Sequence, residues 1–325
     1  MNTRTNKNPI PVIVIFAPTA SGKTALTKEL FSESGSHFIL NGEIVSADSQ
    51  QVYRGMDIGT AKPEADFCSL IPHHLINLLN PDQQWNVSDF VDAADLACKD
   101  ISERGKLPVL VGGTGFYIRN FLYGVPPTPQ SDSKLREELK NRIKLEGNEV
   151  LYKELQGVDP QSAQKIHIND AYRICRALEV YYLSGRTRSS YLSEVKLRSF
   201  YDFTFIVLEP PRDLLYERIR KRVDMMFEAG LEREVRELIA RGYGADSPGM
   251  KAIGYSEWFD RDNPGKLREA ARVCEEIKHH SCKYAKKQYT YIRDIPGSIK
   301  LEYSGSEEDL TQLAMVIRNN LFKKE

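Results

Sequence analysis

The chain has 325 residues, 45 basic and 45 acidic, so its formal net charge at neutral pH is zero. That balance excludes the blanket basicity of a histone-like binder, and any RNA contact has to be a local patch. Five cysteines, Cys68, Cys98, Cys175, Cys274 and Cys282, form no C-x-x-C pair; an odd, scattered set favours free thiols in a reducing, cytoplasmic compartment over a disulfide framework.

In chain order, residues 1–8 are polar and lack the apolar core of a signal peptide. No apolar stretch approaches ~20 residues, so no membrane span is expected. The apolar run 12–16 predicts a buried strand, and Ala17-Pro18-Thr19-Ala20-Ser21-Gly22-Lys23-Thr24 follows it directly, ahead of a helical pattern. Strand, small-residue loop, Lys-Thr and helix form the context of a phosphate-binding loop, in which backbone N–H groups and a helix N-terminus converge on an anion. Lys23 can reach a terminal phosphate and the Thr24 hydroxyl can hold Mg²⁺. The usual pattern opens with Gly, and here Ala17 stands in that place, so the first turn has to suit a residue with a Cβ.

Residues 43–47 predict a second strand, which runs into Asp48-Ser49-Gln50-Gln51. Strand C-termini of a parallel sheet face the ligand crevice. Asp48 is therefore placed as a general base or a metal partner, with an Asx-type turn as the plain alternative. Strands are also predicted over 74–79, 109–111 and 204–208. The strand at 109–111 ends in Gly112-Gly113-Thr114, where an ATP-hydrolysing or kinase site usually carries an acid that organises Mg²⁺. The loop alone is compatible with a nucleotide such as ATP, but this strand end points away from ATP hydrolysis. Thr114 is either a hydroxyl of the site or a helix N-cap.

Apolar runs alternating with helix-period segments argue a parallel α/β sheet. Pro126-Pro127-Thr128-Pro129 marks a break, and helices are predicted over 134–144, 149–155 and 171–183, a candidate insertion. Beyond residue 208 the chain reads as mostly helical: Pro210-Pro211 opens one long helix, and Pro248, Pro264 and Pro296 punctuate the rest. In the long helix Arg218 and Arg222 share a face at i, i+4 and could clamp a diphosphate, although a solvated, ion-paired face is the plain reading. From Lys278 to Arg293 the chain holds Lys283, Lys286 and Lys287 as well, with Tyr284, Tyr289 and Tyr291 interleaved and no acid. Basic groups suit RNA phosphates and aromatic faces suit unstacked bases. His73-His74 and His279-His280 with Cys282 lack zinc spacing.

The blocks A-P-T-A-S-G-K-T, A-D-S-Q-Q-V-Y-R-G-M-D-I-G-T-A-K-P, V-L-V-G-G-T-G-F-Y, N-D-A-Y-R-I-C-R-A-L-E-V, R-I-R-K-R-V-D-M-M-F-E-A-G-L, K-A-I-G-Y and Y-A-K-K-Q-Y-T-Y-I-R, in this order over roughly residues 10–294, resemble the tRNA dimethylallyltransferase family in its bacterial form. The resemblance implies a P-loop kinase-like parallel sheet flanked by helices, comprising residues 1–124 and 204–325, with a helical, tRNA-binding insertion at 125–203. It implies transfer of a dimethylallyl group from dimethylallyl diphosphate to N6 of the adenine at position 37, beside the tRNA anticodon. The loop 17–24 and Arg222 would hold the diphosphate with Mg²⁺ on Thr24, and Asp48 and Thr114 would be catalytic. The partner would be the anticodon stem-loop. The residues that meet it would include Asp48, Ser49, Gln50, Gln51 and Thr114; Arg136, Tyr172, Arg173 and Arg176 in the insertion; and Lys251, Gly254 and Tyr255. They would end with Lys286, Lys287, Gln288, Tyr291 and Arg293. A monomer is expected. The chain departs from the family at Ala17, at Tyr172 (usually Gln), at Lys287 (usually Arg) and at Tyr291 (usually Trp). Two other readings remain open at this point: a P-loop kinase of a small metabolite or nucleoside, and a non-catalytic RNA-binding protein.

Overall fold

Residues 12–16 are an apolar run without alternation, as a strand covered on both faces should be. In the structure, a computed structural model that describes residues 9–193, 196–260, 262–263, 265–291, 293 and 295–322, this run lies in the central strand β1 (Ile10–Phe16) and is at most 1% exposed. The polar start, residues 1–8, and Pro264 lie outside the described residues. After β1 come α1 (Lys23–Phe31), β2 (Gly42–Ser46), α2 (Ala65–Leu70), β3 (His73–His74), α3 (Val87–Glu103), β4 (Leu107–Gly112) and α4 (Gly115–Tyr123). Then follow α5 (Ser133–Glu146), α6 (Asn148–Val158), α7 (Pro160–Ala163), α8 (Ala171–Ser184) and α9 (Arg188–Ser193). The chain continues with β5 (Tyr201–Glu209), α10 (Arg212–Glu228), α11 (Leu231–Ala240), α12 (Ala270–Gln288), β6 (Ile299–Glu302) and α13 (Glu307–Phe322).

The strands form one six-stranded sheet in the order β3-β2-β4-β1-β5-β6, with every pairing parallel. Because β1 pairs with β4 through Phe16 and Gly112, and β2 with β4 through Ser46 and Val111, the C-terminal ends of three strands stand side by side. At the other end of β2, Glu43 is buried and gathers Arg104, Lys106 and His74, each within 2.8 Å. Arg104 foremost holds that carboxyl far below the ordinary carboxylate range. Loop-to-helix junctions obey local chemistry. Asn86 accepts from the backbone N–H groups of Ser88 and Asp89 while Asp89 reaches back to the Asn86 N–H, a reciprocal cap for α3.

The chain divides into two compact units. One comprises residues 1–122 and 198–325, and the other runs from Tyr123 to Leu197. The second is a helical unit around Leu139, Leu151, Leu155, Ile174 and Leu178. Residues 198–203, expected in the insertion, lie with the sheet: β5 already starts at Tyr201, and Arg198 and the Tyr201 hydroxyl both bind Asp95. Two further expectations need correction. The strand predicted over 74–79 ends at His74, because Leu75 and Asn77 take left-handed φ values of 64° and 55°. The chain instead docks on the loop after β2, with the Leu78 and Leu79 N–H groups on the Val52 carbonyl. The short edge strand β6 lies in a region expected to be helical. No described helix is long and apolar enough to cross a membrane.

Gly112 ends β4 where a Cβ would stand 2.1 Å from the Ala47 carbonyl oxygen. Gly112→Ala should destabilise the protein by about 1–3 kcal/mol, the usual cost of forcing extra volume into a packed site. Denaturant unfolding measures this, and parent-like stability would show that the two strand ends can separate freely.

Candidate active site at the strand ends

The loop after β1 carries the chain from the sheet into the first turn of α1. The Ala17 N–H still belongs to the sheet, donating to the Gly112 carbonyl at 3.1 Å. The residues with left-handed φ in this loop are Ala20 (59°) and Gly22 (84°), and Ala17 is not among them. The Cβ of Ala17 therefore meets no backbone strain, and the strained non-glycine position is Ala20. The first turn of α1 contains no acid. Lys23 folds back onto the loop, its Nζ donating to the carbonyls of Ala17 (3.1 Å) and Pro18 (2.7 Å). Burial pulls its pKa down to about 8, helped by the nearby charge of Arg222 and opposed by Asp48. Arg222, from α10, reaches Thr19 Oγ1 at 3.4 Å, and burial lowers its pKa too, again against Asp48. Arg218 belongs elsewhere: it donates to the Ser304 carbonyl, so it does not join Arg222 in a clamp.

Asp48 stands at the end of β2. Its Oδ1 accepts from the N–H groups of Gln50 (2.9 Å) and Gln51 (3.3 Å), the Asx turn the sequence allowed, and this fixes the carboxylate while leaving Oδ2 for other chemistry. Thr114 Oγ1 accepts from the Ser49 N–H at 3.2 Å, tying the loop after β4 to the loop after β2 and leaving the hydroxyl proton to donate. Tyr284, from α12, faces the same place: burial first, then the charge of Asp48, pushes its phenol up to about 12. Gln51 is committed, accepting from Ser46 Oγ and donating to the Ala61 carbonyl. Gln50 donates to Ser49 Oγ, and its buried Oε1 has no partner.

The basic-aromatic run divides. Lys283, Lys286, Lys287 and Arg293 are exposed, and Tyr284 and Tyr291 are each 37% exposed. Lys278 is paired with Asp224 and Glu275, and Tyr289 turns inward, its hydroxyl on the Leu208 carbonyl and its ring edge-on to Phe16. Gln288 is buried and holds two loops, so it presents nothing to an RNA. The same correction applies to Gly254 and Tyr255. Tyr255 is fully buried with its hydroxyl on Glu234, and the Gly254 N–H donates to Glu257. Only Lys251 of that motif is exposed.

Glu234 is a residue that sequence reasoning missed. Its carboxylate accepts from the N–H groups of Asp57, Ile58 and Gly59 and so fixes the loop that follows the Asp48 segment. The available signal was an acid on the stripe of α11 that also carries Leu231, Val235 and Leu238.

Within the helical unit, Arg176 donates to Glu179 and to the Pro129 carbonyl. Arg173 pairs with Asp170. Arg136, also on Glu179, lies 5.8 Å from the ring of Tyr172, which is 67% exposed.

Fold and site together define a phosphate-loop α/β protein. At adjacent strand ends it combines an anion cradle with a carboxylate and a hydroxyl. The chain belongs to the IPP transferase family, whose profile matches residues 51–295. Over 296 residues it is 43% identical to "tRNA dimethylallyltransferase 2" of Geotalea daltonii, covering 90% of this chain and 88% of that one. It is 41% identical over 284 residues to the tRNA dimethylallyltransferase of Bacillus cytotoxicus, covering 87% of each. Among solved structures it resembles the full-length tRNA isopentenylpyrophosphate transferase of Bacillus halodurans (TM-score 0.67, 34% identity, 97% of each chain). It also resembles a eukaryotic dimethylallyltransferase acting on tRNA, with a TM-score of 0.77 and 27% identity over 96% of this chain and 79% of that one.

The low pKa of Lys23 has a testable consequence. A bound diphosphate favours the charged ammonium, so binding raises this pKa from about 8. Affinity should therefore fall as pH rises through about 8, and binding just above that pH should take up a proton. Calorimetry with inorganic pyrophosphate in buffers of different ionisation enthalpy measures the uptake. Lys23→Ala should abolish that increment and weaken pyrophosphate far more than tRNA; an unchanged uptake would remove Lys23 from the site.

Proposed function

We propose that the protein transfers the dimethylallyl group of dimethylallyl diphosphate to N6 of the adenine at position 37 of tRNA, releasing diphosphate. The class, a transferase acting on tRNA, follows from the family. The observation that carries the chemistry is one juxtaposition: Lys23 at the end of the phosphate loop and Arg222 from α10 both feel the charge of Asp48, which stands at the end of β2, separated from β1 in the sheet by β4 alone.

In the reaction a bond forms between N6 and the allyl carbon as the bond from that carbon to the diphosphate oxygen breaks. Two developing charges need answers. The leaving diphosphate is met by the loop N–H groups, Lys23 and Arg222, fixed before the reaction begins. The N6 amine is a poor nucleophile until its proton departs, and Asp48 Oδ2 accepts that proton. The Thr114 hydroxyl beside it can orient the base. Thr24 is the loop's exposed hydroxyl, and no cluster of three acidic, His or Cys ligands is found among the described residues. This donor set fits Mg²⁺, an ion that keeps its waters and needs few protein ligands beside substrate phosphates. When bound it would neutralise charge on the diphosphate. The exposed Lys283, Lys286, Lys287 and Arg293 with Tyr284 and Tyr291 suit the anticodon stem-loop, and Arg136 with Tyr172 offers a further cation-aromatic pair. The kinase reading loses to the Gly112-Gly113-Thr114 strand end, which supplies no acid.

Asp48→Asn keeps the shape of the side chain but cannot accept a proton. Its single-turnover transfer rate should fall at least ~10²-fold, within the usual range for a lost general base, with tRNA affinity little changed. A rate near that of the parent would reassign Asp48 to a purely turn-forming role. Replacing Lys286 and Lys287 together by alanine should flatten the salt dependence of tRNA binding by up to ~2 units, at ~0.7–0.9 for each RNA phosphate no longer neutralised. An unchanged slope would place the RNA elsewhere.

A further inference from the structure

We infer that Gln288 is a positioning residue that sets the separation between the diphosphate loop and the loop beside Asp48. The inference rests on the transfer reaction proposed above and names a residue that touches neither substrate. Gln288 is 5% exposed. Its Oε1 accepts from the Thr19 N–H at 3.1 Å, on the diphosphate loop, and its Nε2 donates to the Gly113 carbonyl at 2.7 Å, on the loop after β4. Each hydrogen bond leads on to a reacting group. Thr19 Oγ1 accepts from Arg222, and Thr114, next to Gly113, accepts from the N–H beside Asp48. One amide therefore bridges the side of the site that holds the leaving group and the side that deprotonates the base.

The polarity of the amide is dictated by its partners. Thr19 presents a donor and Gly113 an acceptor, so exchanging the amide O and N would set donor against donor and oxygen against oxygen. The gap is also closed sterically: a Cβ on Gly113 would stand 2.3 Å from Nε2. The base of the bridge is itself anchored. Gln288 ends α12, and the next residue, Tyr289, is pinned by its hydroxyl to the Leu208 carbonyl and by its ring to Phe16. A bridge held at three points can keep the allyl carbon and N6 at attacking distance. Displacement by about 1 Å costs up to ~10² in rate while every group that binds substrate stays in place.

Gln288→Glu tests this with the least disturbance. The carboxylate keeps the shape and the acceptor for Thr19 but loses the donor to Gly113; a protonated carboxyl regains it. The transfer step, measured at saturating substrates near pH 8, should fall between ~10- and ~10²-fold, while affinities for pyrophosphate and tRNA stay within about threefold of the parent. The rate of the variant relative to the parent should recover as pH is lowered toward 6. Gln288→Ala should lose rate similarly and show no such recovery. Transfer at the parent rate, a loss of both affinities in proportion to the rate, or a pH-independent ratio for Gln288→Glu would each overturn the assignment. A parent that transfers no label would overturn the proposed function and this inference together, whereas variants that match an active parent overturn the inference alone.

Discussion

The end of β4 comes so close to the end of β2 that no side chain fits between Gly112 and the Ala47 carbonyl. The rest of the site depends on that approach. It brings Thr114 within reach of the Ser49 N–H, which in turn fixes the segment carrying Asp48. On the other flank of β4 the Gly112 carbonyl holds Ala17, the first residue of the phosphate loop. A parallel sheet delivers strand ends to one edge as a matter of course. Glycines at the junction decide how far apart the chemistry on those ends will be.

The electrostatics of the site follow from the same crowding. Lys23 and Arg222 are both drawn out of water and repel each other, while Asp48 partly offsets both. Lys23 donates to the carbonyls of its own loop. In the proposed reaction a diphosphate would relieve the repulsion and give both cations a charged partner, and the same cations would favour its departure as a leaving group. A loop of this kind is not committed to nucleotides. The strand end beside it, two glycines and a hydroxyl instead of an acid, separates alkyl transfer from phosphoryl transfer here.

Much of this was legible in the sequence, and the failures have physical causes. Strands covered on both faces, such as β1, read as unbroken apolar runs, and the loop 17–24 follows from residue type and context. The strand at 74–79 could not be excluded from composition, because Leu75 is an ordinary strand residue and only the fold puts it at positive φ. The edge strand β6 is too short to leave a pattern. Motif resemblance picked residues that matter without saying which way they point. Tyr255 and Gln288 were expected at an RNA surface, yet they are spent on Glu234 and on two loops. Glu234 went unnoticed because an acid on a charged helix usually faces water, and the three N–H groups that it holds come from a loop 175 or more residues away in the chain.

The central claim is that the phosphate loop serves an alkyl donor and not a nucleoside triphosphate. Incubating the protein with Mg²⁺, allyl-labelled dimethylallyl diphosphate and unmodified tRNA in nucleotide-free buffer tests it most directly. The account predicts label on one adenine beside the anticodon, with diphosphate released in equal amount. An absolute requirement for ATP, or diphosphate release with no label in the RNA, would contradict it.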